Sequence, residues 1–594
     1  MLTSSFPELD YSDLIACDLP DPGTLSRTLR IALLSDAATQ QFVPILTTLL
    51  ARAAIRAQIY EGGFDAIEIE AYNPDSGLYR FDPEVVIILN CVQALRSRFG
   101  TRKNSPDQFV NESLNRVTGV WKQLQTHSQA AIIQSTFALP YERTFGNLDL
   151  KVPQSFYAIV SSLNMRIAEA ARDRPGVLIN DVEYVASWTG KRFFFDDRYW
   201  DLWKSFCALE HLPRVVQNIV DILVAQFGRS VKCVICDLDN TMWGGVIGDD
   251  GVDGIKLNAH GEGEAFYRLQ LFLKELRRRG ILLAVCSKNE ESNAKAPFLE
   301  HPDCILKLSD FVAFVANWND KTSNIQAIQQ ELNIGLDSMV LLDDNPFERN
   351  LVRATVPDIL VPELPDDPSE YVRFLSELNL LEVSSFSAED LERSDLYTRE
   401  AERRQAAAGY GCVEDFMRSL NMVLEIAKFD EFHLRRIAQL FQRSNQFNLT
   451  TQRHTEAACR AMMRSPELIP LYAKLSDRLG KHGLIAIVVL EVTGSDLAIR
   501  DWLMSCRVLA RGVEQQMMNQ VFAIARKLKV SRVIGEYIPT TKNGMVRDFF
   551  AKFGFQPIPE QGYEQGITRW QHEPAHYLEQ PTYITTEMRF GEKE

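Results

Sequence analysis

A short apolar run that stops at two aspartates constrains this chain more than any other feature: Val234-Ile235-Cys236-Asp237-Leu238-Asp239-Asn240-Thr241-Met242-Trp243-Gly244-Gly245. The run reads as the end of a buried strand. Carboxylates at i and i+2 leave a strand on the same side. Two anions side by side repel each other unless a cation or a shared proton compensates. The pattern therefore predicts a divalent metal and chemistry on a phosphate, in a turn opened by Thr241 and two glycines.

The neighbouring segments repeat the theme. Lys232 to Cys236 is the first strand. Glu262 to Arg279 carries Phe266, Leu269, Phe272, Leu273 and Leu276 at helical spacing, and Gly280 ends it. A second strand, Ile281 to Cys286, runs into Ser287-Lys288-Asn289. A helix is expected over 321–332. A third strand, Ser338 to Leu342, runs into Asp343-Asp344-Asn345-Pro346. Strands alternating with helices give a parallel sheet, and polar residues at every strand end place a phosphate site at its open edge.

At 594 residues the chain is too long for one core, and about three domains are expected. Ahead of the aspartates, Arg30 to Asp36, Val85 to Asn90 and Val177 to Asp181 read as strands, with a helix from Gln41 to Ala57, so a second parallel α/β layer precedes the first. The stretch Val361-Pro362-Glu363-Leu364-Pro365-Asp366-Asp367-Pro368 marks an exit. Charged helices follow from about Ser387, then strands at Leu484 to Leu490 and Val530 to Gly535. The expected division is 1–229, 230–370 and 371–594.

The net charge of −15 argues against nonspecific nucleic-acid binding, which needs a basic footprint. Ten cysteines with one CxxC (Cys233 and Cys236, inside an apolar run) but no second Cys or His pair to complete it, and few histidines, argue against a zinc module of ordinary spacing and suit reduced thiols in a cytoplasm. Residues 1–8 carry no signal-peptide pattern, and no apolar run is long enough to span a bilayer. A cytoplasmic protein with no membrane partner is expected.

The middle segment resembles the haloacid-dehalogenase superfamily. Asp237, Asp239 and Thr241 match its DxDxT motif, Ser287 its second motif, Lys321 its third, and Asp343 with Asp344 its fourth. The resemblance implies that Asp237 attacks phosphorus and Asp239 serves as general acid and base. Thr241, Ser287 and Asn289 would hold the substrate, and Lys321 would neutralise charge. Asp237, Asp239, Asp343 and Asp344 would surround Mg²⁺, with the choice between Asp343 and Asp344 open.

The longer stretches are more specific. Cys236 to Gly251, Val285 to Asn289, Asp343 to Arg349, Ser444 to Thr450 and Ser505 to Glu514 resemble the FkbH-like family. That resemblance implies a Mg²⁺-dependent enzyme that converts 1,3-bisphosphoglycerate to a glyceryl thioester on an acyl carrier protein, releasing phosphate, for polyketide biosynthesis. A lactyl or related unit fits the motifs equally. A plain phosphatase and a carrier-binding scaffold are the alternatives. The acyl group is expected to pass through an enzyme cysteine. Cys236 is the first candidate and Cys286 the second, although strand alternation points each away from its neighbouring site residue.

The flanks complete an α/β multidomain fold, a Rossmann-like haloacid-dehalogenase core between an SGNH-like domain and a GNAT-like α+β domain. In the first, Ser35-Asp36-Ala37 puts alanine at the nucleophile position, which implies binding or scaffolding, with Ser35 a turn residue. In the last, Arg507-Val508-Leu509-Ala510-Arg511-Gly512 approximates a phosphate-cradling loop before a helix at 513–527, and Arg507, Arg511 and Gly512 are expected to hold phosphopantetheine. Arg277-Arg278-Arg279 and Arg435-Arg436 are candidate basic faces for an acidic carrier.

Overall fold

The computed structural model describes the chain except residues 1–9, 21–24, 26, 103–104, 175, 228–230, 394, 398, 401–402, 404–409, 411, 510, 541, 560–565 and 590–594. The N-terminal reading and Ala510 lie outside the described residues. It is an α/β multidomain protein with three sheets.

The first sheet holds β1 (Arg27–Ser35), β2 (Ile55–Glu61), β3 (Val85–Leu89), β4 (Ala131–Ser135) and β5 (Val177–Asn180), in the order β2-β1-β3-β4-β5. All its pairings are parallel. Alternation along β1 sends Leu29, Ile31 and Leu33 into one core and Ala32 and Leu34 into the other, so helices cover both faces. The helix expected over 41–57 stops at Arg52, and Ile55 opens β2. Alanines at 51, 53, 54 and 57 favour helix locally, but pairing of Ile55 to Glu61 with β1 overrides that preference.

The second sheet holds β6 (Cys233–Cys236), β7 (Leu282–Ser287), β8 (Phe311–Ala316) and β9 (Met339–Leu342), all parallel, in the order β8-β7-β6-β9. Its strands are buried on both faces, as their continuous apolar runs require. Helix Tyr371–Leu378 packs Tyr371 and Leu375 into one of its two cores.

The third sheet is mostly antiparallel: β10 (Met422–Lys428), β11 (Leu468–Asp477), β12 (Gly480–Thr493), β13 (Asp496–Met504), β14 (Arg532–Tyr537), β15 (Gln556–Pro557), β16 (Thr568–His572) and β17 (Ile584–Arg589). The order is β15-β16-β14-β13-β12-β11-β10-β17. Helix Val513–Leu528 lies on one face through Met517, Val521 and Phe522, and helix Leu434–Arg443 on the other through Leu434, Ile437 and Phe441. β13 and β14 run parallel and pair only from Asp496/Arg532 to Ile499/Gly535. Beyond that point the chain's own segment 447–449 enters the gap. Met504 N donates to Phe447 O at 3.0 Å, Leu449 N to Trp502 O at 3.0 Å, and Ile538 N to Leu449 O at 2.9 Å.

Candidate active site

Strand alternation sorts the residues at the end of β6. Val234 and Cys236 face one core, Cys233 and Ile235 the other. Asp237 continues the second set, so it emerges on the face covered by helix Lys321–Leu332, whose Ile325 and Ile328 pack there. Asp343 follows β9 with the same parity, one strand over. Lys321 is the first residue of that helix, and Asp320 caps it by accepting from Ser323 N at 2.8 Å. The Lys321 ammonium stands between the two carboxylates, 2.9 Å from Asp237 Oδ2 and 2.5 Å from Asp343 Oδ2. Burial opposes the Lys321 charge, but Asp237 and Asp343 outweigh it and raise its pKa. Burial, then the charge of Asp237, pushes the Asp343 carboxyl up to about 6.

Asp237, Asp343 and Asp344 offer carboxylate oxygens within 4.8 Å of one another. Thr241 ties the loops together: Asp344 N donates to its hydroxyl oxygen at 3.1 Å, and its hydroxyl donates to Asp344 Oδ1 at 3.3 Å. Three carboxylates face one ammonium, so the cluster holds an excess of negative charge. Hard oxygen donors in that arrangement suit a divalent cation such as Mg²⁺. Both Asp343 and Asp344 belong to the group, which narrows what the sequence left open.

Asp239 departs from the expected ligand set. Its Oδ1 accepts from Trp243 Nε1 and Ile247 N, each at 3.0 Å, and its Oδ2 from Asn289 Nδ2 at 2.8 Å. Those three donors hold the carboxylate outside the three-aspartate group. Asn289 also donates to Ser287 Oγ at 3.3 Å, so the buried Ser287 and Asn289 and the half-buried Asp239 form one polar wall of the site.

Arg349 has a role that sequence reasoning missed. Its guanidinium donates to the carbonyls of Asp343 at 2.8 Å and Asp344 at 2.7 Å, and pairs with Glu363. It holds the backbone that aims both carboxylates. The sequence signal was its place on the helix begun by Pro346, three residues past Pro346 and one turn after Asp344.

Both cysteine candidates are wrongly placed for acyl transfer. Cys236 is fully buried in the core on the face opposite Asp237, and burial with the charge of Asp237 pushes its thiol well up. Cys286 shares the face of Asp237 but is also fully buried. Burial lifts its thiol to about 12, with Lys321 pulling the other way. A protonated, enclosed thiol is a poor nucleophile.

The loop after β13 is also partly corrected. Gly512 has a φ of +82°, the turn that starts helix Val513–Leu528. Arg511 does not face solvent. It is buried against Glu400 and His482, with Asp477 Oδ2 at 3.5 Å, an ion network that leaves it no phosphate to hold. Arg507 is half-exposed, and its Nε reaches Ser505 Oγ at 3.3 Å. The candidate basic faces are split: Arg277 pairs with Asp310 and Arg436 with Glu389 inside the molecule, whereas Arg278, paired with Glu275, and Arg435 are exposed. In the first domain Ala37 is buried, and Ser35 Oγ accepts from Ala37 N at 2.9 Å, a turn contact. No helix of the described residues is long and apolar enough to cross a membrane.

Residues 30–224 match the model of the FkbH N-terminal domain. The chain is similar to the N-terminal part of protein BF1531 from Bacteroides fragilis, a crystal structure containing a phosphatase domain complexed with Mg. Identity is 35%, covering 64% of this chain and 100% of that one, with a TM-score of 0.60. The ribosomal-protein-S18-alanine N-acetyltransferase of Escherichia coli is 11% identical over 25% of this chain and 94% of its own, with a TM-score of 0.21. The GNAT domain of S. lividans PAT is 15% identical over 25% of this chain and 89% of its own, with a TM-score of 0.20. No curated protein matches the chain. With its N-terminal domain matched and a 35% identical chain spanned end to end, the protein belongs to the FkbH-like family.

Proposed function

We propose that the protein is a Mg²⁺-dependent enzyme that takes 1,3-bisphosphoglycerate, releases phosphate and delivers the glyceryl group as a thioester to an acyl carrier protein. The observation that carries the phosphate chemistry is Lys321 held between Asp237 and Asp343, with Asp344 beside them. Asp237, Asp343 and Asp344 would hold Mg²⁺, which supplies charge neutralisation for a phosphoryl group. Asp237 is the carboxylate best placed to attack phosphorus. Lys321 stabilises charge that builds on the phosphoryl oxygens, and Ser287 and Asn289 donate to them. Asp239, held by Trp243, Ile247 and Asn289, is oriented at the site's rim to exchange a proton with the leaving group or water. The Mg in the Bacteroides fragilis crystal supports the choice of metal, and the FkbH match supports the carrier-linked reading.

The test is incubation of the full chain with 1,3-bisphosphoglycerate, Mg²⁺ and a panel of phosphopantetheinylated carriers. Phosphate release and the intact mass of each carrier are measured together. A carrier gaining a glyceryl unit is expected. Phosphate release with every carrier unchanged would leave a plain phosphatase as the function.

A further inference from the structure

The phosphatase and GNAT-like domains flank a half-open pocket of about 450 Å³ at the amino-terminal end of the second sheet. The volume suits a small ligand. Lys232, just before β6, forms one wall. Arg393, Arg436, Arg443 and Arg507 approach from the linker and the third domain, Cys506 and Tyr397 lie among them, and Asp337 and Asp358 are the carboxylates of the lining. The walls are joined across the domains. Lys232 Nζ donates to Arg443 O at 3.2 Å, Asn333 Nδ2 to Cys506 O at 2.8 Å, and Lys542 pairs with Asp337.

The charges here are out of balance. Arg393 and Arg443 share one carboxylate, Asp390. Lys232 and Arg507 reach no carboxylate among the described residues. Burial, then the charge of Arg443, lowers the pKa of Arg393. Cations gathered in a recessed, partly dry space repel one another, and an anion between them offsets that cost. Cys506 lies in this space, half-exposed, 3.8 Å from the Tyr397 hydroxyl. The other cysteines are either buried or, like Cys17 and Cys412, exposed at the surface.

We propose that this pocket is a second anion site, one that holds an acyl phosphate through Lys232 and Arg507 and presents its carbonyl carbon to the Cys506 thiol. The proposal rests on the reading of 1,3-bisphosphoglycerate as substrate, because that molecule carries two different phosphates. One is a monoester, lost by breaking a P–O bond. The other is an acyl phosphate, lost by breaking a bond from carbonyl carbon to oxygen. Five residues of strand separate Lys232 from Asp237, about 16 Å, so one centre cannot serve both. The aspartate centre takes the monoester and the cationic pocket takes the acyl phosphate. At Cys506 a sulfur–carbon bond forms and the carbon–oxygen bond to phosphate breaks. The electron pair leaves on the phosphate oxygen, and the thiol proton ends on the released phosphate. A carrier thiol then displaces Cys506, which regains a proton.

Two measurements on the full chain test this. The first is alkylation of Cys506 by iodoacetamide, mapped by peptide mass spectrometry, with inorganic phosphate as the probe and Cys17 and Cys412 as internal references. Phosphate at about ten times its dissociation constant should slow Cys506 roughly tenfold and leave the references unchanged. Lys232→Met with Arg507→Ala should remove the protection. Equal rates with and without phosphate in the wild type would overturn the anion site, whatever the enzyme's activity. The second is incubation of Asp237→Asn with 1,3-bisphosphoglycerate. An adduct on Cys506 that retains one phosphate supports the proposal. An adduct mapped to another residue, or one undiminished in Cys506→Ala, overturns the role of Cys506 while the proposed function stands. Phosphate protection of Cys506 with neither adduct nor phosphate release in the wild type would keep the anion site, refute that function and overturn acyl transfer at Cys506.

Discussion

The phosphatase domain faces opposite electrostatic problems at the two ends of one sheet. At the carboxyl ends of β6 and β9, three carboxylates crowd around the single ammonium of Lys321. At the amino ends, Lys232 meets arginines from the neighbouring domain with too few carboxylates to match. Helix Lys321–Leu332 connects the two, with Lys321 in the first and its C-cap Asn333 bonded to the backbone of Cys506 in the second. Its length separates them by about 18 Å. The first problem is met within one domain, by residues close to strand ends. The second exists only because two domains meet. A site of the first kind survives as an isolated domain, while a site of the second kind depends on how the domains are held.

The sharpest way to break this comparison is at Asp237. Asp237→Asn removes the attacking carboxylate, and phosphate release from a phosphomonoester should fall on the order of 10⁴-fold or more, measured by phosphate assay. The variant should keep its fold and its phosphate protection of Cys506. If protection were lost with it, the two ends would be one site.

Lys321 comes next. Lys321→Met leaves Asp237 and Asp343 facing each other without a cation, and breaking a buried ion pair from one side costs about 3–5 kcal/mol. Urea unfolding should show that loss in the metal-free protein. Saturating Mg²⁺ should restore more stability to the variant than it adds to the wild type, because the metal then supplies the missing positive charge. An equal Mg²⁺ effect in both would mean that the ammonium and the metal do not share these carboxylates.

These contrasts explain what the sequence could and could not disclose. Asp237, Asp343 and Asp344 were legible because each sits at a strand end, where period-two alternation and chain order fix position, whereas Thr241 and Lys321 were legible through their match to the haloacid-dehalogenase motifs. The same alternation placed Cys236 away from Asp237, and the structure agrees on that geometry. The engagement of Asp239 was not legible, since its donors, Trp243, Ile247 and Asn289, meet only when two loops fold together. Arg511 reads as a loop cation but is buried by Asp477 and Glu400, which lie far from it in the chain. The pocket around Cys506 combines residues 232, 333, 393, 443 and 507, a spacing with no local period. Motifs of one domain can be read along the chain, whereas a site between domains needs their contact surface.

A smaller effect is expected at Arg349, which touches neither metal nor substrate. It positions Asp343 and Asp344 by donating to their carbonyls. Arg349→Gln should weaken Mg²⁺ binding by about 10- to 100-fold, as loss of a residue that orients metal ligands does. Isothermal titration would read it, and excess Mg²⁺ should recover most of the turnover. Phosphate protection of Cys506 should not change. A variant whose turnover stays low at saturating Mg²⁺ would instead give Arg349 a part in the chemistry.

The mildest lever is pH, and it separates the two ends by sign. Burial and the charge of Asp237 raise the Asp343 carboxyl to about 6 in the metal-free protein. Its folded pKa lies above the unfolded one. The stability it contributes is therefore present at low pH and lost as pH rises through about 6. Mg²⁺ needs the deprotonated form, so its affinity should fall as pH drops below about 6, approaching tenfold per unit, with a proton released on binding. Calorimetry in buffers of different ionisation enthalpy would count that proton. Asp343→Asn should abolish the release and flatten the stability profile near pH 6. At the other end burial opposes the Lys232 charge, which is held better as pH falls, so binding of an anion that does not titrate here, such as sulfate, should not weaken. A sulfate affinity that weakened in parallel with that of Mg²⁺ below pH 6 would show that the carboxylates of the first centre, not the cations of the second, control it.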